Sequence, residues 1–134
     1  MDIKEYDNNR LIEFYFSNGL EFNDSKKYFG INTKSYVISE NGKIVGAISI
    51  SKYKDKNFIE AIAVDKKYRN KGNGKKLLDK ALSLLDSPIY TISKNDKFYL
   101  NNGFKYTDED IIDNNCKKCN KYGKTCFPKA MKYE

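Results

Sequence analysis

Residues 64–78 place a basic turn with two glycines between an apolar stretch and an amphipathic one: Val64, Asp65, Lys66, Lys67, Tyr68, Arg69, Asn70, Lys71, Gly72, Asn73, Gly74, Lys75, Lys76, Leu77, Leu78. A turn of this kind cradles phosphate. Glycine lets the backbone approach an anion closely, and the first free N–H groups of a following helix point at that anion with the positive end of the helix dipole behind them. The ligand this predicts is a pyrophosphate. A dinucleotide fingerprint would need a third glycine where Leu77 stands, and a Walker loop would need Gly-Lys-Ser/Thr after four free positions, so neither fits.

One further residue is a candidate for proton chemistry. Glu60 is a carboxylate inside the otherwise apolar run Phe58-Ile59-Glu60-Ala61-Ile62-Ala63-Val64. Burial there disfavours its charged form and would raise its pKa toward the range useful to a base, an ion pair or a solvent-facing end of the strand being the plain alternative. The chain contains no histidine. Ser-His and Cys-His nucleophilic systems and imidazole metal sites are thereby excluded, and a general base must be a carboxylate, lysine, tyrosine, thiol or relayed water.

The spacing Arg69-x-x-Gly72-x-Gly74 directly after a strand ending Ala63-Val64-Asp65 resembles the acetyl-CoA motif of the GNAT-type N-acetyltransferases. A second element, Phe98-Tyr99-Leu100-Asn101-Asn102-Gly103-Phe104, is similar to the GNAT segment in which an aromatic residue stands five positions before the phenylalanine of a closing Gly-Phe. The resemblance covers residues 35–107. It implies acetyl transfer from acetyl-CoA to an amine in a ternary complex. Tyr99 would protonate the departing CoA thiolate, or pack its ring over the pantetheine channel, and Glu60 would deprotonate the amine. Ile62, Ala63 and Val64 would meet the pantetheine and the thioester carbonyl. Arg69, Asn70, Lys71, Gly72, Asn73, Gly74 and Lys75 would hold the pyrophosphate. Asn95 is a candidate for contact with the pantetheine arm, its alternative being a helix cap.

Elements that position these residues follow from pattern. Asn8 or Asn9 caps a helix carrying Leu11, Ile12, Phe14, Tyr15 and Phe16 and closed by Asn18-Gly19. Residues 20–33 admit a short helix capped near Asp24 or Ser25. Strands over 35–39 and 44–50 flank Asn41-Gly42, a strong hairpin signal, and the apolar run 58–64 reads as a central strand. Leu77, Leu78, Ala81, Leu82, Leu84 and Leu85 recur at helical spacing before Pro88, and Ile89-Tyr90-Thr91-Ile92 returns as a parallel strand. Ser93-x-x-Asp96 resembles a capping box for a short helix ended by Asn101-Asn102-Gly103, and 104–106 and 127–133 are the last strand candidates. The expected fold class is α/β (α+β): a GNAT-like mixed central sheet, an antiparallel meander followed by β-α-β-α-β, with helices on both faces.

A length of 134 residues predicts a single acetyltransferase-like domain spanning 1–134, and 40% hydrophobic residues predict a globular chain. Apolar stretches fall short of a membrane span, and Asp2, Glu5 and Asp7 break any signal-peptide core, which predicts a cytoplasmic protein with no membrane partner. The net charge of +7 suits a polyanion, but the densest lysines, over 66–76, coincide with the phosphate turn. That favours a local anion over a long polyanion such as nucleic acid; the resemblance implies acetyl-CoA and an amine acceptor as partners and allows a homodimer. A catalytically silent CoA-binding sensory module and a basic nucleic-acid-binding domain are the rival readings. Cys116, Cys119 and Cys126 form Cys-x-x-Cys-x6-Cys. Three thiols without histidine would take a carboxylate, a water or a group from another subunit as fourth ligand of a structural metal; reduced cysteines near the active site are the competing reading, and no metal is assigned. The tail's Cys-x-x-Cys-x-x-Tyr-Gly-x-x-Cys-Phe-Pro-x-x-Met-Lys resembles a subset of small bacterial acetyltransferases.

Overall fold

The structure, a computed structural model, describes residues 3–18, 33–53, 56–93, 96–107 and 129–134. The predicted helix near Asp24 or Ser25, Asn95, and Cys116, Cys119 and Cys126 lie outside the described residues. In chain order the elements are β1 (Ile3–Tyr6), a 3-10 turn (Asn8–Arg10), α1 (Ile12–Ser17), β2 (Thr33–Glu40), β3 (Lys43–Tyr53), β4 (Lys56–Val64), a second 3-10 turn (Lys66–Tyr68), α2 (Asn73–Leu84), β5 (Ile89–Ser93), α3 (Asp96–Leu100), β6 (Lys105–Tyr106) and β7 (Lys129–Tyr133). The strands form one sheet in the order β1-β2-β3-β4-β5-β7-β6. Among the described strands only the β4–β5 neighbours run parallel, and the other pairs are antiparallel.

Asn41 and Gly42 close the β2–β3 hairpin with φ of 52° and 78°, the double left-handed geometry of a two-residue primed turn. In β2 to β4 the side chains alternate between two cores. One face carries Tyr36, Ile38, Ile48, Ile50 and Ile59 against Leu77, Leu78 and Ala81 of α2 and Tyr99 of α3. The other carries Val37, Ala47, Ala61 and Ala63 against Leu11 and Tyr15 of α1. Helices therefore cover both faces, as the apolar pattern requires.

Two expectations change. Strand β1 has no counterpart in the sequence reading, because four residues with two charges show too short an alternation; pairing with β2 from Ile3↔Ile38 to Tyr6↔Ser35 creates it. Asn8 is not an N-cap. Helix α1 begins at Ile12 after Leu11, which makes no side-chain cap, and Asn8 turns into the sheet instead. Its Nδ2 donates to the Thr33 carbonyl at 2.7 Å and its Oδ1 accepts from Ser35 Oγ at 2.6 Å.

From there a chain of buried hydroxyls runs under α1, with Ser35 Oγ 2.7 Å from Ser49 Oγ and Ser49 Oγ 2.7 Å from the Tyr15 hydroxyl. Among the described residues no buried side-chain polar atom lacks a hydrogen-bond partner. Since an unmatched buried hydroxyl costs more than a matched one contributes, this chain fixes how α1 sits on the sheet. Tyr15→Phe is expected to lower the urea midpoint by the equivalent of about 1–2 kcal/mol with an unchanged slope. A midpoint equal to wild type would show that the chain does not anchor α1.

Candidate active site

Strands β4 and β5 pair at Asn57↔Ile89, Phe58↔Tyr90 and Ile59↔Thr91, and their described ladder stops there, although β4 runs on to Val64 and β5 to Ser93. Thr91 closes the last rung, its Oγ1 donating to the Ile59 carbonyl at 3.0 Å. The next residue of β4 is Glu60. Opposite it, Ser49 pairs with Ala61 while Ile50 pairs with Ile59, so Glu60 is the extra residue of a β-bulge. A bulge bends its strand and raises the local twist, which turns the end of β4 away from β5 and opens a wedge between them.

Main-chain direction in the wedge follows from the ladder with β3. Asp65 N–H donates to the Val45 carbonyl of β3 at 2.8 Å. Alternation then aims the N–H and C=O of Ala63 at β3 as well, and those of Ile62 and Val64 away from it, toward the wedge. Arg69 Nε donates to the Val64 carbonyl at 2.8 Å from that side. Of the three predicted pantetheine contacts, Ile62 and Val64 thus face the opening, whereas Ala63 is committed to β3 by its backbone and to the α1 core by its side chain.

The turn above the wedge is shaped by its own side chains. Asp65 Oδ1 accepts from Lys67 N at 3.0 Å, capping the 3-10 turn. The Tyr68 hydroxyl donates to the Glu40 carboxylate, which raises the phenol's pKa. Arg69 reaches back to Val64 and, at 3.4 Å, to Asn18 Oδ1, so its guanidinium braces the turn. Asn73 is buried, with Nδ2 donating to the Tyr68 carbonyl at 3.0 Å. Asn70 and Gly72 take φ of 62° and 83°.

Gly72 is the N-cap of α2, and its carbonyl accepts the first helical bond from Lys76 N at 3.0 Å. The N–H groups of Asn73, Gly74 and Lys75 therefore lack helical acceptors, and glycine brings no side-chain oxygen to occupy them. Asn70, Lys71 and Lys75 are exposed around this end, Lys75 in an ion pair with Asp79 at 2.9 Å. Gly74 also has a packing task. A Cβ there would stand 3.2 Å from the Phe98 ring, so its small size seats α2 against α3.

Tyr99 and Glu60 end on opposite sides of the last β4–β5 rung. The Tyr99 ring packs edge-on against Phe98 at 5.2 Å and Phe104 at 5.0 Å. Its hydroxyl hydrogen-bonds Thr91, and because the Thr91 proton is directed at Ile59, Tyr99 is the donor. Burial pushes its pKa up to about 12. Glu60, half-buried, accepts a short hydrogen bond from Ser51 Oγ on the α1 side. Thr91 and Ser51 were not among the sequence candidates. The signal was present in Ile48-Ser49-Ile50-Ser51, where hydroxyls alternate with isoleucine in a strand too buried to be solvated on either face.

Comparison with known proteins decides the family. The family model described as "Acetyltransferase (GNAT) domain" matches residues 32–106. The chain belongs to the GNAT acetyltransferase family.

Solved structures agree on the fold of this GNAT acetyltransferase. Escherichia coli ElaA superposes with a TM-score of 0.73 at 16% identity, covering 100% of both chains. The IAA acetyltransferase of Bacillus cereus gives 0.73 at 18%, covering 99% of this chain and 98% of its own. N-acetylglutamate synthase from Neisseria gonorrhoeae, complexed with coenzyme A and N-acetyl-glutamate, gives 0.67 at 18%, covering 99% of this chain and 35% of its own. No curated protein matches. Acetyl-CoA is the cosubstrate that this family membership brings, and the residues fit it: a wedge with main-chain donors below, and an uncapped helix N-terminus above. Among the described residues no helix is long and apolar enough to cross a membrane.

Replacing Gly72 tests the turn. A β-branched residue cannot hold φ near 83° without strain, so Gly72→Val is expected to weaken acetyl-CoA binding at least about tenfold in calorimetry. Equal affinity would remove this turn from the anion site.

Proposed function

We propose that this protein transfers the acetyl group of acetyl-CoA to an amine by direct attack in a ternary complex, with Glu60 as base and Tyr99 as acid. The observation that carries the reading is the placement of these two groups about the end of the β4–β5 ladder, one bonded to Ser51 and the other to Thr91. The pyrophosphate lies on the free N–H groups of Asn73, Gly74 and Lys75, with Arg69, Asn70 and Lys71 shaping the turn. The pantetheine runs down the wedge beside the main chain of Ile62 and Val64, which brings the thioester to the last rung. Asn95, outside the described residues, is the further candidate for contact with the pantetheine arm.

Chemistry then assigns the protons. An amine attacks a thioester only as the neutral base. The new N–C bond forms, the carbonyl oxygen becomes negative against main-chain donors of β4, and the C–S bond breaks as the carbonyl re-forms. The nitrogen loses one proton to Glu60, and the thiolate receives one from Tyr99. A phenol with a pKa of about 12 keeps its proton throughout the working range, so it can give one but adds no titration of its own near neutrality.

A covalent relay through Cys116, Cys119 or Cys126 is disfavoured, because the chain has no histidine to activate a thiol. Initial rates against amine and acetyl-CoA are expected to give intersecting double-reciprocal lines. Tyr99→Phe is expected to lower kcat by roughly tenfold to a thousandfold with nearly unchanged acetyl-CoA affinity. Wild-type turnover in that variant would leave Tyr99 a packing residue, and acetyl-CoA binding without turnover on any amine would favour a silent binding module.

A further inference from the structure

The turn that carries the free N–H groups of α2 is tied to the sheet by a short series of hydrogen bonds, and the last of them comes from a side chain. Asp65 N–H donates to the Val45 carbonyl at 2.8 Å, Tyr68 N–H to the Asp65 carbonyl at 2.8 Å, and Asn73 Nδ2 to the Tyr68 carbonyl at 3.0 Å. Between Tyr68 and Asn73 lie Arg69 to Gly72, with left-handed φ at Asn70 and Gly72. Among the described residues no main-chain hydrogen bond links this stretch back to Tyr68 or to the sheet, since the Gly72 carbonyl serves α2. We infer that the Asn73 side chain is a positioning residue for acetyl-CoA, holding the turn closed so that the N–H groups of Asn73, Gly74 and Lys75 converge on the diphosphate.

The inference rests on the proposed pyrophosphate site and adds to it a buried side chain that acts through the turn. Asn73 is 3% exposed and shares the inward face of α2 with Leu77 and Ala81, where the helical pattern calls for an apolar residue. A carboxamide buried there costs free energy unless it is hydrogen-bonded, and the bond it makes leaves the helix for the Tyr68 carbonyl. A capping role does not fit its position. An N-cap asparagine would stand at 72, and its oxygen would accept from the N–H of Gly74 or Lys75, taking a donor that an anion needs. Here the N-cap is Gly72 and makes no side-chain cap, while the polar side chain comes one residue later and braces the turn instead.

The other polar contacts of the turn hold its flanks. Asp65 accepts from Lys67 N and lies 4.0 Å from Lys43 Nζ, the Tyr68 hydroxyl meets Glu40, and Arg69 Nε reaches Val64. Lys71 lies over the Tyr68 ring at 5.9 Å, and Lys75 pairs with Asp79. None of these contacts joins Tyr68 to α2, which the Asn73 amide does. A turn that its ligand must first order gives up the ordering cost from the affinity, and left-handed φ at a non-glycine residue such as Asn70 raises that cost. Closing the turn beforehand removes it.

The test is calorimetry with acetyl-CoA and with CoA, and it needs no acceptor. Asn73→Leu keeps the side-chain volume and removes the donor, and it is expected to weaken both ligands about tenfold, the equivalent of one lost hydrogen bond. Asn73→Asp supplies a readout that packing would not move. At pH 8 the introduced carboxylate has no proton to donate and is expected to bind more weakly than the leucine variant. At pH 5, where burial beside a carbonyl favours the neutral form, its O–H again reaches Tyr68, and affinity is expected to rise above that of the leucine variant toward wild type. Wild type measured at each pH cancels the titration of the ligand's phosphates and of Glu40, Asp65 and Asp79 around the turn. A folded Asn73→Leu that binds within about twofold of wild type overturns the inference. So does an aspartate variant that stays weak at pH 5, and this second arm decides if urea unfolding shows the leucine variant to be unfolded. Gly72→Val separates this from the parent reading: unchanged affinity there removes the turn from the anion site altogether, whereas a loss there with none in Asn73→Leu removes only the role of the Asn73 side chain.

Discussion

One extra residue in β4 sets the geometry of everything around it. Without the bulge at Glu60, β4 would keep its register with β3 and could run beside β5 for its full length, and no wedge would form. With it, the strands part at the rung that Thr91 closes onto Ile59. The same insertion decides which face Glu60 occupies. A one-residue shift moves a side chain to the other face of a sheet, so the bulge is what allows isoleucines at 59 and 62 to serve the α2 core while Glu60 faces α1.

The two faces are built from different chemistry because they have different tasks. Against α2 and α3 the sheet presents large aliphatic and aromatic groups, and most of the apolar burial lies there. Against α1 it presents alanines and a ladder of serines, which let the short helix come close but yield less hydrophobic stabilisation. Buried hydroxyls offset that deficit only when every one is matched, and the matched chain from Asn8 to Tyr15 meets this condition. Such a network has few alternative arrangements. A polar face held in one arrangement can keep a carboxylate at a fixed angle, which a face packed by dispersion alone would not specify as tightly.

Legibility in the sequence followed the range of the interactions involved. The hairpin at Asn41-Gly42, helix α2 and the turn from Asp65 to Gly74 are encoded by neighbours within a few residues, and each was readable from local pattern. Strand β1 was not, since its stability comes from β2 some thirty positions along the chain. The bulge was equally hidden: an apolar run gives no sign of where its partner strand skips a residue. Glu60 could be singled out because a carboxylate in an apolar strand is visible as a type, and Tyr99 because its segment resembles the one that closes with Gly-Phe in the family. Their partners Ser51 and Thr91 are common strand residues whose importance appears only when the sheet registers them against Glu60 and Ile59. Gly74 carries a second constraint that no local pattern shows, since its missing side chain also makes room for Phe98.

A chain without histidine has no side chain whose ordinary pKa lies near neutrality apart from what an environment can shift. On the proposed reading the protein does not need one. A carboxylate and a phenol lie on opposite sides of neutral pH, so the first is ready to accept a proton and the second always carries one. Burial of Tyr99 widens that separation by pushing its pKa to about 12, while the Glu60 carboxylate accepts a hydrogen bond from Ser51. The cost is that Tyr99 becomes a weaker acid than a surface phenol. That is tolerable only if the leaving thiolate is more basic in the closed wedge than in water, and partial desolvation between β4 and β5 has this effect on a thiolate as it does on the phenol. On the proposed reading the parting of the strands would admit the thioester, and the burial of Tyr99 beside it would supply the surroundings in which a tyrosine serves as the acid.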